Sequence, residues 1–378
     1  MKYDFDKVID RNGTAAVKLE EAKEVWGRAD LIPLWVADMD FGTAPFIVDA
    51  IRKRCECEVL GYTVKQRYDL DVTKEMINFV PGIVPGIGMA MNSFTRPGDK
   101  VMIQPPVYHP FAWVTTRNER TLVTNPLKWE NGMYRMDLDA FREQVKGCKL
   151  FILCNPHNPG GVVWTEDELR TVAELCYEEK VLVFSDEIHA DLTLPPYKHR
   201  PFATISEKAK MNSVTFMSPS KAFNMPGLAA SHAIIFNEDL RARFRKFMDA
   251  GELDMGHVFA FLSVEAAYTH GTEWLDQCLA YIQGNIDYVD NFLKTHAPRI
   301  KAIRPQASYL VWLDCRELGL NQEALNDFFA DKAHLALNDG AMFGKEGTGY
   351  MRLNVASPRS VIEQAMKQLA EAYQEMSF

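Results

Sequence analysis

KLFILCN at residues 149–155, TEDELRTVAELCYEEK at 165–180 and VLVFSDE at 181–187 decide the fold. The two short apolar runs carry polar residues at their ends, as strands buried on both faces do. Between them, Thr165 is placed as a helix N-cap, with Glu168 three residues on as its capping-box partner. Leu169, Val172, Leu175 and Cys176 recur on one helical face. Strand, helix and strand in this order predict a βαβ crossover in a parallel sheet.

The same rhythm extends outward through KVMIQPP (100–106), ERTLVTN (119–125) and SVTFMSP (213–219), so the middle of the chain is expected to be an α/β domain with a mostly parallel sheet. After about residue 258 the pattern changes to long amphipathic helices, AFLSVEAAYTHG (260–271) and WLDQCLAYIQGNIDYVDNFLKTH (274–296). Strand-like SYLVWLD (308–314) and YMRLNVA (350–356) follow, which predicts a smaller α+β unit. The first 45 residues hold no complete βαβ unit and are expected to pack against that unit or to bridge the two.

The chain has 378 residues, 47% hydrophobic and 25% charged, which excludes disorder as its main state. A net charge of −9 disfavours nucleic acid and acidic lipid as partners. MKYDFDKVID places acids where a secretory signal needs an apolar stretch, and no apolar run reaches the roughly 18 residues of a membrane span. Seven cysteines, an odd number scattered along the chain, read as reduced thiols. A cytoplasmic protein is expected. Cys55 and Cys57 have no downstream partner pair, so no metal site is expected.

Ligands of open parallel sheets bind beyond the carboxyl ends of the strands, and four junctions there are unusual. NFVPGIVPGIGMAM (78–91) breaks at Pro81-Gly82, and a helix beginning near Val84 leaves N–H groups suited to phosphate; taken alone, a plain turn before a core helix is the more ordinary reading. CNPHNPGG (154–161) packs more turn residues after a strand than a simple loop needs. Asp186 sits at the mouth of a buried strand, where a carboxylate needs a cationic or N–H partner. Lys221, in SPSKAFN (218–224), would become a nucleophilic amine if buried, although most lysines are solvated surface groups. Gly86-Ile87-Gly88 lacks the third glycine of a dinucleotide fingerprint, and Gly340 to Lys345 does not complete a nucleotide-binding loop.

Taken together these junctions resemble fold-type I pyridoxal phosphate (PLP) enzymes of the class I/II aminotransferase superfamily. Within it, the chain is most similar to the cystathionine β-lyase, or carbon–sulfur lyase, branch of the MalY/PatB type. The resemblance rests on DFDKVIDRNGT (4–14), IPLWVADMDF (32–41), GYT (61–63), QPPVYHPF (104–111), CNPHNPGG, SDEIHADL (185–192), SPSKAFN and MRLNVA (351–356), all in order. It implies a large PLP-binding domain over residues 46–265 and a small domain built from 1–45 and 266–378.

The resemblance further implies that Lys221 holds PLP and later serves as general base. Asp186 pairs with the pyridine nitrogen, Asn158 with the phenolic oxygen, and Tyr108 stacks on the ring and could assist proton movement near the sulfur. Ser218 and the N–H groups near Gly82, Ile83 and Val84 take the phosphate, helped by Tyr62 from the second subunit of a homodimer. Arg352 grips the substrate α-carboxylate. His189 stands where many aminotransferases carry a tyrosine, which favours the lyase branch. The implied reaction is α,β-elimination from a sulfur amino acid, giving pyruvate, ammonia and a thiol. An aminotransferase on the same residues is the alternative; retention of Lys221, Asp186 and Arg352 argues against a non-catalytic binding protein. One departure stands beside Tyr62. Between Thr63 and Ile77 the chain lacks a helix of the family pattern, on the order of four to five turns, through either a deletion or residues missing from the sequence.

Overall fold

The computed structural model describes residues 2–14, 16–28, 30–55 and 72–376. Tyr62, Cys57 and most of the short segment after Thr63 lie outside these residues. A seven-stranded sheet runs in the order Ile77–Val80, Ser231–Ile234, Ser213–Met217, Leu182–Asp186, Cys148–Cys154, Lys100–Ile103, Thr121–Thr124. Ser231–Ile234 is antiparallel to both its neighbours; every other pairing is parallel. The expected α/β fold with a mostly parallel sheet is therefore present.

Burial explains why these strands read as continuous apolar runs. In Cys148–Cys154 only Lys149 is exposed, and Leu182–Asp186 is buried throughout because helices cover both faces. The crossover helix Glu166–Glu178 starts as expected. Thr165 Oγ1 accepts from Glu168 N–H at 3.2 Å, and Glu168 Oε2 accepts from Thr165 N–H at 2.9 Å. This reciprocal pairing satisfies two backbone donors that the helix itself cannot.

A second, four-stranded antiparallel sheet runs Lys301–Ile303, Leu310–Asp314, Tyr350–Asn354, Asn338–Asp339. The helices Thr272–His296 and Arg359–Gln374 pack on each other beside it. The N-terminal segment joins this layer: Ile32–Pro33 pairs in parallel with Leu335–Ala336. Phe5, Leu34, Met39 and Phe41 share one core with Trp274, Ile282 and Leu369. The helix Val258–His270 runs across position 265, where the sequence division places a domain boundary. No helix among the described residues is long and apolar enough to cross a membrane.

Candidate active site

At the carboxyl ends of the central strands lies a cavity of about 220 Å³. Gly82, Ile83, Val84, Tyr108, Asn158, Asp186, His189 and Lys221, all singled out in the sequence, line it together. They stand at or just beyond the carboxyl ends of five different strands, which the sheet brings side by side.

The phosphate-suited end is the helix Ile83–Phe94, which begins one residue before its expected start at Val84. Its N-cap, Gly82, has φ 147° and ψ 159°, a conformation open to glycine and closed to side-chain-bearing residues. No side chain caps this end. The N–H groups of Ile83 and Val84 have no intrahelical acceptor, and the helix dipole adds positive potential there.

Asp186 ends its strand between Cys154 and Phe216. One carboxylate oxygen accepts from Ile188 N–H at 3.1 Å; the other has no partner among the described residues. Burial pushes its pKa up to about 7, with Glu187 adding to the rise and Lys221 opposing it. Lys221 is displaced in the opposite direction, to about 8, by burial and then by Arg352. Its amine donates to Ala37 O at 2.5 Å. His189 falls to about 3 through burial and the nearby Lys221 and Arg352, so its ring is neutral at pH 7, with Nδ1 unpartnered. Burial also raises the Tyr108 phenol.

Arg352 stands behind the cavity wall on the strand Tyr350–Asn354, in register with Trp312 and Asn338. Its guanidinium donates to Asn158 Oδ1 (3.1 Å), Asn338 Oδ1 (2.6 Å) and Trp35 O (3.3 Å), and lies 4.8 Å from the Phe343 ring centroid. No acidic side chain pairs with it among the described residues, and Nε has no partner. A buried guanidinium held only by neutral acceptors has its pKa lowered to about 10 and retains capacity for an incoming carboxylate.

Ser218 is not brought to the cavity. Its hydroxyl donates to Ala230 O at 2.7 Å and accepts from Ser220 N–H at 3.1 Å, whereas Ser220 itself lines the wall. Ala37, Cys154 and Ser231, not singled out as site residues from the sequence, also line the cavity. For Ser220 the signal was its position next to Lys221; Ala37 and Cys154 lay within quoted motifs. Ser231 lies on the antiparallel strand, whose contribution no local pattern announces.

The arrangement fits PLP. A phosphate suits the uncapped helix end, a ring N–H suits the free Asp186 oxygen, and an aldehyde suits the amine of Lys221. The model for aminotransferase class I and II matches residues 50–369. The chain belongs to the class I and II aminotransferase family. It is 38% identical to cystathionine β-lyase PatB of Bacillus subtilis, over 97% of this chain and 99% of that protein. Protein MalY of Escherichia coli is 30% identical, over 98% of each chain. The crystal structure of cystalysin from Treponema denticola, which contains a PLP cofactor, superposes with a TM-score of 0.96 at 33% identity over the whole of both chains. The PLP-bound carbon–sulfur lyase of Staphylococcus hominis gives a TM-score of 0.90 at 33% identity over 99% of both. The fold is thus the type I PLP-dependent fold.

Proposed function

We propose that the protein is a PLP-dependent carbon–sulfur β-lyase that converts cystathionine or cysteine-type substrates to pyruvate, ammonia and a thiol. The observation that carries this reading is full-length similarity to cystathionine β-lyases, joined to a cavity lined by Lys221, Asp186, Asn158 and Tyr108 with Arg352 behind its wall. When bound, PLP supplies an electron sink for the pair released as the substrate α-proton leaves.

The chain's residues then divide the work. Arg352 binds the substrate α-carboxylate with its planar fork. The Lys221 amine, depressed by burial, takes the α-proton near neutral pH. Asp186 keeps a proton on the ring nitrogen, where its ionised form is stabilised by the partner it otherwise lacks. Asn158 donates to the phenolic oxygen and ties that contact to Arg352 through Oδ1. Tyr108 covers the ring face, and neutral His189 adds no charge beside it. The N–H groups of Gly82, Ile83 and Val84 hold the phosphate, with Ser220 on the wall and Ser218 bracing it. Residues 46–265 make up the cofactor-binding domain, and 1–45 with 266–378 the smaller one. A homodimer in which Tyr62 reaches the neighbouring phosphate, and a cytoplasmic location, belong to the same reading; the five cysteines described as free are all buried.

The test is purified protein with PLP and cystathionine, with pyruvate followed in the presence and absence of a keto acid. Pyruvate release without the keto acid is expected. Turnover that requires the keto acid would assign the site to transamination instead.

A further inference from the structure

The motif DFDKVIDRNGT and the side chains of the strap WVADMDF at residues 35–41 have no part in the proposed chemistry, although the strap's backbone borders the cavity at Ala37. The strap runs past the cavity with its carbonyls gripped in series. Arg352 holds Trp35 O; Asn354 Nδ2 donates to Val36 O (2.8 Å) and Asp38 O (2.7 Å). Asn224 Nδ2 donates to Met39 O (3.1 Å) and Phe41 O (2.9 Å). Ala37 O accepts from the Lys221 amine and, at 3.3 Å, from the Tyr309 hydroxyl.

The strap's own carboxylates, Asp38 and Asp40, meet two cations from the N-terminal segment. The Lys18 amine lies 2.9 Å from Asp40 Oδ2 and 3.5 Å from Asp38 Oδ1. Arg11 reaches Asp38 Oδ2 at 2.8 Å and Asp40 Oδ1 at 3.1 Å. Ser357 also donates its hydroxyl to Asp40. Lys18 is fully buried, and neither Lys18 nor Arg11 lines the cavity. An apolar residue would fill Lys18's place without the desolvation cost of an ammonium. A charge kept there at such cost acts on the two carboxylates, and Asp38 is one of the groups whose field reaches Lys221.

We propose that Arg11 and Lys18 form a positioning clasp for Lys221, neutralising Asp38 and Asp40 so that the strap holds the Ala37 carbonyl on the Lys221 amine without fixing that amine in its charged form. The inference rests on Lys221 being the reactive amine of the proposed function. The charged and titratable groups facing Lys221 are Asp38 on the strap, Asp186 and His189 at the end of the central strand, and Arg352 on the small sheet, while the Tyr309 hydroxyl shares the Ala37 carbonyl with the Lys221 amine. Asp38 and Asp186 favour the charged amine, while Arg352 and burial oppose it. Removing Lys18 strengthens the negative field; removing the charge of Asp38 weakens it.

The two changes therefore act in opposite directions, which a purely structural role would not produce. In the PLP-loaded protein, the pH midpoint of the cofactor's visible absorbance should rise in Lys18→Met and fall in Asp38→Asn. Each shift should be about half a pH unit or more, roughly a threefold change in ionisation. Lys18→Arg should restore the midpoint. Unshifted midpoints, or shifts of the same sign, would overturn the clasp. Competitive acetylation of Lys221 across pH, followed by mass spectrometry without cofactor, should show the same pair of opposite shifts. An absent absorbance band in the unaltered chain would reject the cofactor reading, while the acetylation profile would still decide the clasp. If Lys18→Met does not fold, Asp38→Asn against the unaltered chain decides it alone.

Discussion

Two clusters of charge lie near Ala37, the clasp partly exposed around a buried Lys18 and the cavity group gathered around buried Asp186 and Arg352, and they are built on opposite plans. In the clasp, Lys18 and Arg11 each meet both Asp38 and Asp40, so every charge has an opposite within hydrogen-bond or ion-pair distance. In the cavity, Asp186, Lys221 and Arg352 form no ion pairs among the described residues, and burial displaces each from its ordinary pKa. Charges that pair within the chain hold a segment in place; charges left uncompensated at a cavity wall are reserved for what binds there.

The comparison can be tested by removing charges from each side. Lys221→Ala should lower kcat for elimination by about 10³-fold or more, because the amine that moves the α-proton is gone, while urea unfolding stays cooperative. Retention of full turnover would remove Lys221 from the chemistry. In the clasp, Lys18→Met should destabilise the fold by about 3 kcal/mol in urea unfolding, since it strands two carboxylates beside a single arginine. A loss under 1 kcal/mol would mean that the pairing contributes little.

Asp186→Asn should do the reverse. The carboxyl is raised from its ordinary value to about 7, so between pH 4 and 7 the folded state binds more protons than the unfolded one, and stability falls as pH rises through that window. Above pH 7 the folded cofactor-free protein carries a buried carboxylate whose charge meets only the Ile188 N–H among the described residues. Asparagine removes that burden while keeping an acceptor for Ile188 N–H. The variant should therefore be more stable than the unaltered chain by about 2–4 kcal/mol at pH 8, with the difference vanishing near pH 4. A destabilised variant at pH 8 would show that Asp186 is already compensated, and the contrast between the clusters would fail.

How much could be read beforehand varied with the kind of residue. Apolar runs such as KLFILCN announce buried parallel strands by themselves, and Thr165 with Glu168 announces a helix start, because local hydrogen bonding and burial are short-range in sequence. The candidate site was legible wherever an unusual residue stood at a strand end. Asp186, Asn158 and Lys221 met that condition, and the cavity gathers them. Ser218 and Ser220 differ by two positions in one turn. Which of them faces the cavity depends on the path of the loop between the strands 213–217 and 231–234, where the Ser218 hydroxyl donates to Ala230 O and accepts from Ser220 N–H.

The sequence alone determined the family, the parallel α/β core and the identity of the chemical groups, since each is written in local pattern or contiguous motif. Only the tertiary structure decided which groups are left uncompensated. Lys18 and Asp40 are 22 positions apart, and Lys221 meets Ala37 across 184. Charge compensation depends on distance in space and on exclusion of water, neither of which is encoded at any single position.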